Sequence, residues 1–196
     1  MNLLNHVIGI ILKPKNEWEV IKEESISTKQ LFVSYVAILA LIPVVARFIG
    51  NCFVVNKVPM VNGLAYAVVS YVMIFVGIYV SAFIINALAP KFESTQNMNN
   101  VLKLVAFSYT PVWIAGIGAI LPILGFLSIF GLYGLYLLYI GLEPMMGTPP
   151  AKKIVYLIII SLLVVTVVYM VVFVIIGLFI FSQNAILIFI DKFYQR

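Results

Sequence analysis

The sequence predicts an all-α fold: a polytopic integral membrane protein whose five-helix transmembrane bundle follows amphipathic interfacial helices at the N-terminus. First, 64% of its 196 residues are hydrophobic, against about 45–50% in soluble domains. Second, only 10% are charged and the mean hydropathy is +1.15, which is too much apolar surface for one water-soluble core. Third, the chain has five apolar runs long enough to cross a membrane, which takes about 20 residues.

These runs divide the chain into a short N-terminal segment, a membrane domain and a short tail. Residues 1–30 form the first part, 31–181 the second and 182–196 the third. The third and fourth runs are joined at residues 121–125 by proline and glycine without a charge, which predicts a tight hairpin of two spanning helices. The predicted spans cover residues 31–50, 64–89, 101–121, 122–142 and 154–181.

The N-terminal segment has the apolar spacing of a helix that lies on the membrane surface. Pro14 ends this helix, and Asn16 with Glu19 three positions later predicts the capped start of a second helix. Trp18 and Ile21 share one face of that helix, which places the Trp18 indole among the lipid headgroups. The tail is also predicted to be interfacial, because its apolar run is too short to span.

The lysines and arginines predict the orientation, because they are favoured in short cytoplasmic segments. With the N-terminus in the cytoplasm and the C-terminus outside, eight of the 12 basic residues lie on the cytoplasmic side. These eight are Lys13, Lys15, Lys22, Lys29, Lys91, Lys103, Lys152 and Lys153, and the outer four are Arg47, Lys57, Lys192 and Arg196. No positively charged region precedes the first apolar residues, so we expect no signal peptide to be removed.

Few residues are suited to catalysis or metal binding. One histidine, His6, and one cysteine, Cys52, cannot supply the roughly three or four protein ligands of a usual zinc site. The only aspartate is Asp191, which excludes an intramembrane aspartyl pair, and no glycine-rich phosphate loop is present. We therefore expect no enzyme, no metal and no cofactor. The net charge of +5 indicates membrane orientation rather than nucleic-acid binding.

Ionisable side chains at the ends of spans are candidate binding residues, because charge is costly within a membrane. Lys103 begins the third span and Glu143 ends the fourth, at the same predicted cytoplasmic boundary. The hairpin makes these helices neighbours, so the two side chains can form a salt bridge; alternatively, they reach the headgroups separately or bind a solute or partner. Arg47, near the outer end of the first span, is expected to snorkel to the headgroups.

Aromatic and proline residues in the hairpin are further candidates. Tyr136, Tyr139 and Glu143 lie on one stripe of the fourth span, which lines a binding groove or belongs to the interfacial aromatic belt. In the third span, Tyr109 precedes Pro111, whose missing amide hydrogen predicts a kink. Such a kink serves either helix packing or the unwound element of a solute site.

Three stretches together resemble one known family. Residues 12–21, LKPKNEWEVI, are similar to the P-x-x-x-W-x-x-I pattern of prokaryotic members of the Yip family, named for Ypt/Rab-interacting proteins. The second stretch is FSYTP at residues 107–111, and the third is GLYGLYLLYIGL at residues 131–142. With five spans and a cytoplasmic N-terminus, the resemblance extends over nearly the whole chain.

The resemblance implies a five-helix membrane domain with a non-enzymatic role in the cytoplasmic membrane of a prokaryote. Eukaryotic Yip proteins act in traffic between endoplasmic reticulum and Golgi, and they bind small Rab GTPases through cytoplasmic regions. The N-terminal segment here, residues 1–30, is much shorter than theirs. The motifs are closest to those of bacterial and archaeal members, so the membrane domain is what the resemblance transfers.

Two functional hypotheses follow. In the leading one, the chain is a membrane-organising or protein-interaction component that offers Trp18, Ile21 and its cytoplasmic loops to lipid or protein partners. In the alternative, it is a small-solute or ion transporter or channel that works as a homo-oligomer around Pro111 and the tyrosine stripe. A water-filled cavity reaching the membrane midplane near Pro111 would favour transport, whereas a close-packed core would favour the first hypothesis.

Overall fold

The computed structural model describes residues 2–55, 58–167 and 170. It contains five helices that are long and apolar enough to cross a membrane, which confirms the predicted fold class. These spans are Thr28–Val54, Met60–Phe92, Met98–Ile120, Pro122–Met146 and Pro150–Val167. The predicted C-terminal tail, and the predicted fifth span beyond 167 apart from residue 170, lie outside the described residues. Residues up to 158 belong to one compact unit and later residues to a second, and the packing below concerns the first.

Only part of each of the first four spans is a regular α-helix. The first span is α-helical over Thr28–Leu31 and Ala37–Ile49, with π-helical turns at Phe32–Val36 and Gly50–Val54. The second is α-helical over Met60–Leu88 and ends in a 3₁₀ turn, Ala89–Phe92. The third consists of α-helices Met98–Ser108 and Thr110–Ala115 and a 3₁₀ segment, Gly116–Ile120. The fourth begins with a 3₁₀ segment, Pro122–Phe130, and continues as α-helix Gly131–Met146.

The third span lies at the centre of the bundle. It packs against the first, second and fourth spans, and residues 101–108 are buried without interruption. The second and fourth spans instead expose large apolar side chains such as Val61, Phe83 and Leu132. An apolar exterior around a buried central helix is the arrangement expected when lipid is the solvent of the outer surface.

The predicted break at Pro111 is present. The α-helix stops at Ser108, and a new one starts at Thr110 with the proline in its first turn. Pro111 has no amide hydrogen to donate, so the ladder of backbone hydrogen bonds is interrupted there. The hydroxyl of Thr110 lies 2.6 Å from that of Tyr35 on the first span, and this buried hydrogen bond stabilises the broken segment.

Two short helices precede the bundle. Helix α1 covers Leu3–Leu12 and helix α2 covers Pro14–Glu23. The predicted cap of α2 at Asn16 is wrong, because the helix starts at Pro14. Proline suits the first helical position, where its fixed φ is helical and no amide hydrogen is needed. Both helices pack on the bundle, α1 against the third span and α2 against the fourth.

The two ends of the bundle differ in composition. The capped end comprises residues 2–30, which include α1 and α2, and the segments 89–103 and 143–153, and it holds all the glutamates of the chain and eight lysines. The far end comprises residues 47–55 and 115–131, and Arg47 is the only charged residue in those ranges. Within these ranges, one end is polar and tightly connected, and the other is apolar with one cation.

The close approach of the first and third spans depends on Gly50. A Cβ added there would lie 2.5 Å from the carbonyl oxygen of Ala119 and 2.8 Å from that of Ile120. Backbone oxygens cannot move aside like a side chain, so we expect Gly50→Ala to lower the unfolding free energy by about 1–3 kcal/mol. Thermal unfolding of the purified protein in micelles measures this loss.

Gly77→Ala on the second span is the matched control. A Cβ at Gly77 meets no heavy atom within 4 Å, and alanine is the better helix former by about 1 kcal/mol. The control should therefore be neutral or slightly stabilising. Equal stability of the two variants would show that the contact at Gly50 does not constrain the fold.

Candidate functional site: the docked N-terminal helices

Trp18 and Ile21 are both completely buried where α2 meets the bundle. The Trp18 indole packs edge-on against Phe107 of the third span, with ring centroids 6.3 Å apart. The prediction that Trp18 lies among the headgroups is therefore wrong. A short amphipathic helix can be stabilised either by a bilayer or by an apolar protein surface, and the sequence does not distinguish the two. Here the apolar face of α2 is covered by the bundle.

Gly141 of the fourth span creates the space for Trp18. A Cβ added at Gly141 would lie 2.7 Å from indole Cε2 and 2.8 Å from Cζ2, and 2.5 Å from Leu104 Cδ1. No residue with a side chain fits there without moving the indole. Gly141 and Trp18 belong to two of the stretches that resemble the Yip family, residues 131–142 and 12–21. They are in contact although they lie 123 positions apart in the sequence.

His6 connects α1 to both ends of α2. Its Nδ1 lies 2.6 Å from Glu17 Oε1, and its Nε2 lies 2.8 Å from Glu24 Oε2. The ring is 5% exposed and packs edge-on against Phe107 at 5.5 Å. An ionised carboxylate only accepts hydrogen bonds, so the doubly protonated imidazolium, which donates from both nitrogens, satisfies this geometry fully.

The two carboxylates are held by their surroundings. A Cβ at Gly9 would lie 2.5 Å from Glu17 Cδ, so the absence of a side chain on α1 makes room for this carboxyl group. Burial opposes ionisation of Glu24, but hydrogen-bond and charge interactions, including those with His6, outweigh it and lower the pKa of Glu24. Ionised Glu24 is therefore favoured in the docked state.

Lys103 binds the last turn of α2. Its Nζ donates to the carbonyl oxygen of Glu24 at 2.7 Å and to that of Ile21 at 3.2 Å, and the residue is 3% exposed. A cation at a helix C-terminus satisfies carbonyl groups that have no partner within the helix. The predicted salt bridge with Glu143 is wrong, because Lys103 faces the docked α2 rather than the fourth span's polar edge.

Glu143 pairs instead with the start of the fifth span. Lys153 Nζ lies 3.0 Å from Glu143 Oε2 and 4.6 Å from the centroid of the Tyr139 ring. Tyr139 and Glu143 therefore converge on one cation, as their shared stripe allows. Lys153 is itself buried, so this cluster attaches the start of the fifth span, at residues 150–153, to the end of the fourth.

Tyr136 does not join that cluster. Its ring is half-exposed on the outer surface and lies 5.6 Å from the ring of Tyr133. The Tyr133 hydroxyl donates to the carbonyl oxygen of Ile11 at 2.7 Å, which attaches the end of α1 to the fourth span. The residues of the predicted tyrosine stripe therefore have different neighbours: Tyr136 contacts Tyr133, whereas Tyr139 and Glu143 contact Lys153.

Tyr109 and Pro111 lie deeper in the bundle, away from the capped end's ionic contacts. Tyr109 occupies the break in the third span, and its ring stacks on Trp113 at 6.1 Å. Pro111 is buried. The structure therefore places these two residues together, but apart from Trp18, Ile21 and Lys103.

Asparagines in the first turn of the third span complete the capped end. Asn99 accepts a hydrogen bond from Thr28 Oγ1 at 3.0 Å and donates to the carbonyl of Ile26 at 3.1 Å. Asn100 donates to the carbonyl of Met145 at 3.2 Å. These amides join the N-terminal segment and three spans, as the polar composition of residues 96–100 allows.

Sequence reasoning missed the residues that hold the N-terminal helices in place: His6, Gly9, Glu17, Glu24, Tyr133 and Gly141. The available signal was the position of His6 on the face of α1 opposite Leu4, Ile8 and Leu12. A lone histidine among apolar residues indicates a buried partner. Its two carboxylates lie 11 and 18 positions away, which no local periodicity connects.

The buried polar contacts of the capped end hold the N-terminal helices on the bundle. Among the described residues, no group of three or more histidine, cysteine or acidic side chains is placed to hold a metal ion. The buried ionisable residues His6, Lys103 and Lys153 contact carboxylates or backbone carbonyls. What the arrangement offers is a rigid, membrane-attached surface formed by the outer faces of α1 and α2.

Replacing Lys103 by methionine tests its role as a cap of α2. The change leaves the carbonyls of Ile21 and Glu24 without their buried donor, so we expect a loss of about 1.5–3 kcal/mol from the docked state. Hydrogen exchange in residues 14–24 should accelerate by about tenfold or more. Lys91→Met, at an exposed lysine of the same end, is the control, and equal exchange in both variants would contradict the assignment.

The lowered pKa of Glu24 predicts an acid-sensitive stability. Because the folded-state pKa lies below the ordinary value of 4.5, the contribution is complete above about pH 4.5 and is lost as the pH falls through the folded value. The unfolding midpoint of the natural chain should therefore fall more steeply on acidification than that of Glu24→Gln. Parallel pH profiles for the two proteins would show that Glu24 contributes nothing through its charge.

Comparison with known proteins agrees with this architecture. The Yip1 domain family model matches residues 8–173. The Inner membrane protein YohC of Escherichia coli strain K12 is 25% identical over 128 residues, which cover 61% of this chain and 66% of the relative. The same protein of Escherichia coli O6:H1 matches equally. The aligned segment thus spans slightly less than two thirds of these relatives' length.

No solved structure matches the chain at a significant level. The family match nevertheless extends from α1 through the five spans and includes Trp18, Lys103, Gly141 and Glu143. Five apolar helices, the docked N-terminal helices and this match lead to one assignment. The chain is a multi-pass membrane protein that belongs to the Yip1 domain family.

Proposed function

We propose that this protein is a non-enzymatic organising component of the inner membrane that recruits protein partners to the outer face of α2, while the outer face of α1 contacts lipid. The observation that carries the proposal is the docking itself. The contacts of His6, the packing of the Trp18 indole against Gly141 and the hydrogen bonds from Lys103 to two backbone carbonyls hold α1 and α2 in place. Helices this short would be only marginally stable in isolation. Holding them rigidly removes most of the ordering cost that a flexible segment meets when it binds a partner.

The outer face of α1 is suited to lipid. Leu4, Ile8 and Leu12 are 67%, 55% and 71% exposed and lie one turn apart. Their spacing forms a continuous apolar stripe opposite the buried face with His6 and Ile10. Such a stripe lies in the membrane interface, where its apolar area is removed from water.

The outer face of α2 is suited to a protein in water. Lys15, Glu19, Lys22 and Glu23 are exposed there, together with Val20, which is 50% exposed. Mixed charges around a single apolar side chain are typical of the rim and centre of a transient interface. Trp18 and Ile21 support this surface from below, and Lys103, Tyr139 and Glu143 fix the spans that carry it.

The capped end is proposed to face the cytoplasm. Eight lysines lie at this end, whereas Arg47 is the only basic residue in the segments that define the far end. Positive charge is favoured on the cytoplasmic side of short loops. The Escherichia coli relatives are named as inner membrane proteins, which supports this location.

The packing near Pro111 does not favour the transporter alternative. Thr110, Pro111 and Trp113 are buried, and so are the residues 101–108 that precede them. Tyr109, Tyr136 and the pair of Tyr139 and Glu143 have separate neighbours. A solute site at the break would require these groups to line a common space.

Site-specific photo-crosslinking in cells tests the proposal. A photoreactive residue at Val20 should give a discrete protein adduct, and the same residue at Ile123, which is 80% exposed at the far end, should not. Adding Trp18→Ala should abolish the Val20 adduct, because undocked α2 no longer presents a fixed surface. The proposal fails if Val20 gives no protein adduct, or if the adduct is unchanged by Trp18→Ala.

A further inference from the structure

The far end of the bundle contains a cavity of about 370 Å³. It lies between the end of the first span and the hairpin that joins the third and fourth spans. Its volume is within the range of about 300–1,000 Å³ that is usual for small-molecule sites. The lining is glycine, proline and aliphatic side chains, with three polar ones: Arg47, Asn51 and Ser128.

Arg47 has no hydrogen bond or ion pair with any described residue. The glutamates of the chain belong to residues 17–24, Glu93 and Glu143, at the capped end, so within the described part of the chain no carboxylate pairs with this guanidinium. A cation within a membrane span is expensive unless it is paired or reaches water. The cavity beside Arg47 is therefore suited to an anion.

The backbone around the cavity is irregular. The two 3₁₀ segments, Gly116–Ile120 and Pro122–Phe130, meet at Leu121 and line one side of it. Departures from the α-helix at such a position are tolerated where they line a cavity. Gly125 of the lining borders open space, since a Cβ there would meet no heavy atom within 4 Å.

The 3₁₀ segment that lines the cavity also has an apolar exposed face. Ile123, Phe126 and Ile129 are 80%, 66% and 64% exposed, and they alternate along this segment with the lining residues Pro122, Gly125 and Ser128. A molecule with an anionic head and hydrocarbon chains can place its head beside the Arg47 guanidinium and its chains against this apolar face. The charge and the apolar face together indicate an amphiphile of the same leaflet.

We propose that this cavity binds the phosphate of a negatively charged phospholipid, with Arg47 as the charge partner and Asn51 and Ser128 as polar contacts. A guanidinium donates two parallel hydrogen bonds to phosphate oxygens. A zwitterionic headgroup brings its own ammonium group, which competes with the guanidinium, so the net negative headgroup binds better. The site lies at the far end and does not depend on the function proposed for α1 and α2.

Native mass spectrometry of the full chain, released from nanodiscs of defined composition, tests the site. Phosphatidylglycerol should be retained about tenfold more than phosphatidylcholine, and Arg47→Gln should remove this preference. Arg47 is exposed, so its replacement leaves the core packing intact. Lys29→Gln removes the same charge from the opposite end of the same span and should keep the preference.

Two further measurements separate the sources of phosphate. Arg47→Lys keeps the charge without the planar donor pair and should retain part of the preference. Millimolar inorganic phosphate should not displace the retained lipid. Equal lipid retention by the natural chain and Arg47→Gln, or displacement of the lipid by inorganic phosphate, would overturn the proposal.

Discussion

The structure depends on the pairing of charges buried between the N-terminal helices and the bundle. His6 lies between Glu17 and Glu24, and Lys103 binds the carbonyls at the end of α2. Removing ionisable groups from water costs several kcal/mol each unless every one finds a partner. The Lys103 contacts exist only when α2 sits on the third span, and the His6 contacts exist only when α1 packs against α2. Together these groups select one docked arrangement among the many that apolar burial alone would allow.

Composition and run length were sufficient to predict five apolar helices, because a bilayer requires long segments whose backbone groups are satisfied internally. The break at Pro111 was also predictable, since proline lacks the amide hydrogen that an α-helix needs. The contacts of the capped end were not predictable. Whether the apolar face of α2 meets lipid or protein depends on the space that Gly141 leaves for Trp18, and a glycine in a helix does not indicate which residue fills the space beside it.

The partner of Lys103 shows why sequence reasoning failed for the ionic contacts. Glu143 was the nearest carboxylate on the neighbouring helix, and the hairpin made the pairing reasonable. The structure offers Lys103 backbone carbonyls at the end of α2 instead, which are acceptors without a sequence signature. Glu143 is then free to bind Lys153, and the two ends of the bundle acquire separate chemistry: ionic closure at one, an open cavity beside Arg47 at the other.

The most direct test of this account is the environment of Trp18 in a bilayer. In a Trp113→Phe background Trp18 is the only tryptophan of the chain, and its fluorescence can be measured in nanodiscs with brominated lipids and with a water-soluble quencher. Docking against Gly141 and Phe107 predicts that both quenchers leave the emission unchanged. Strong quenching by lipids brominated near the headgroup would place the indole in the membrane interface and contradict the docked structure.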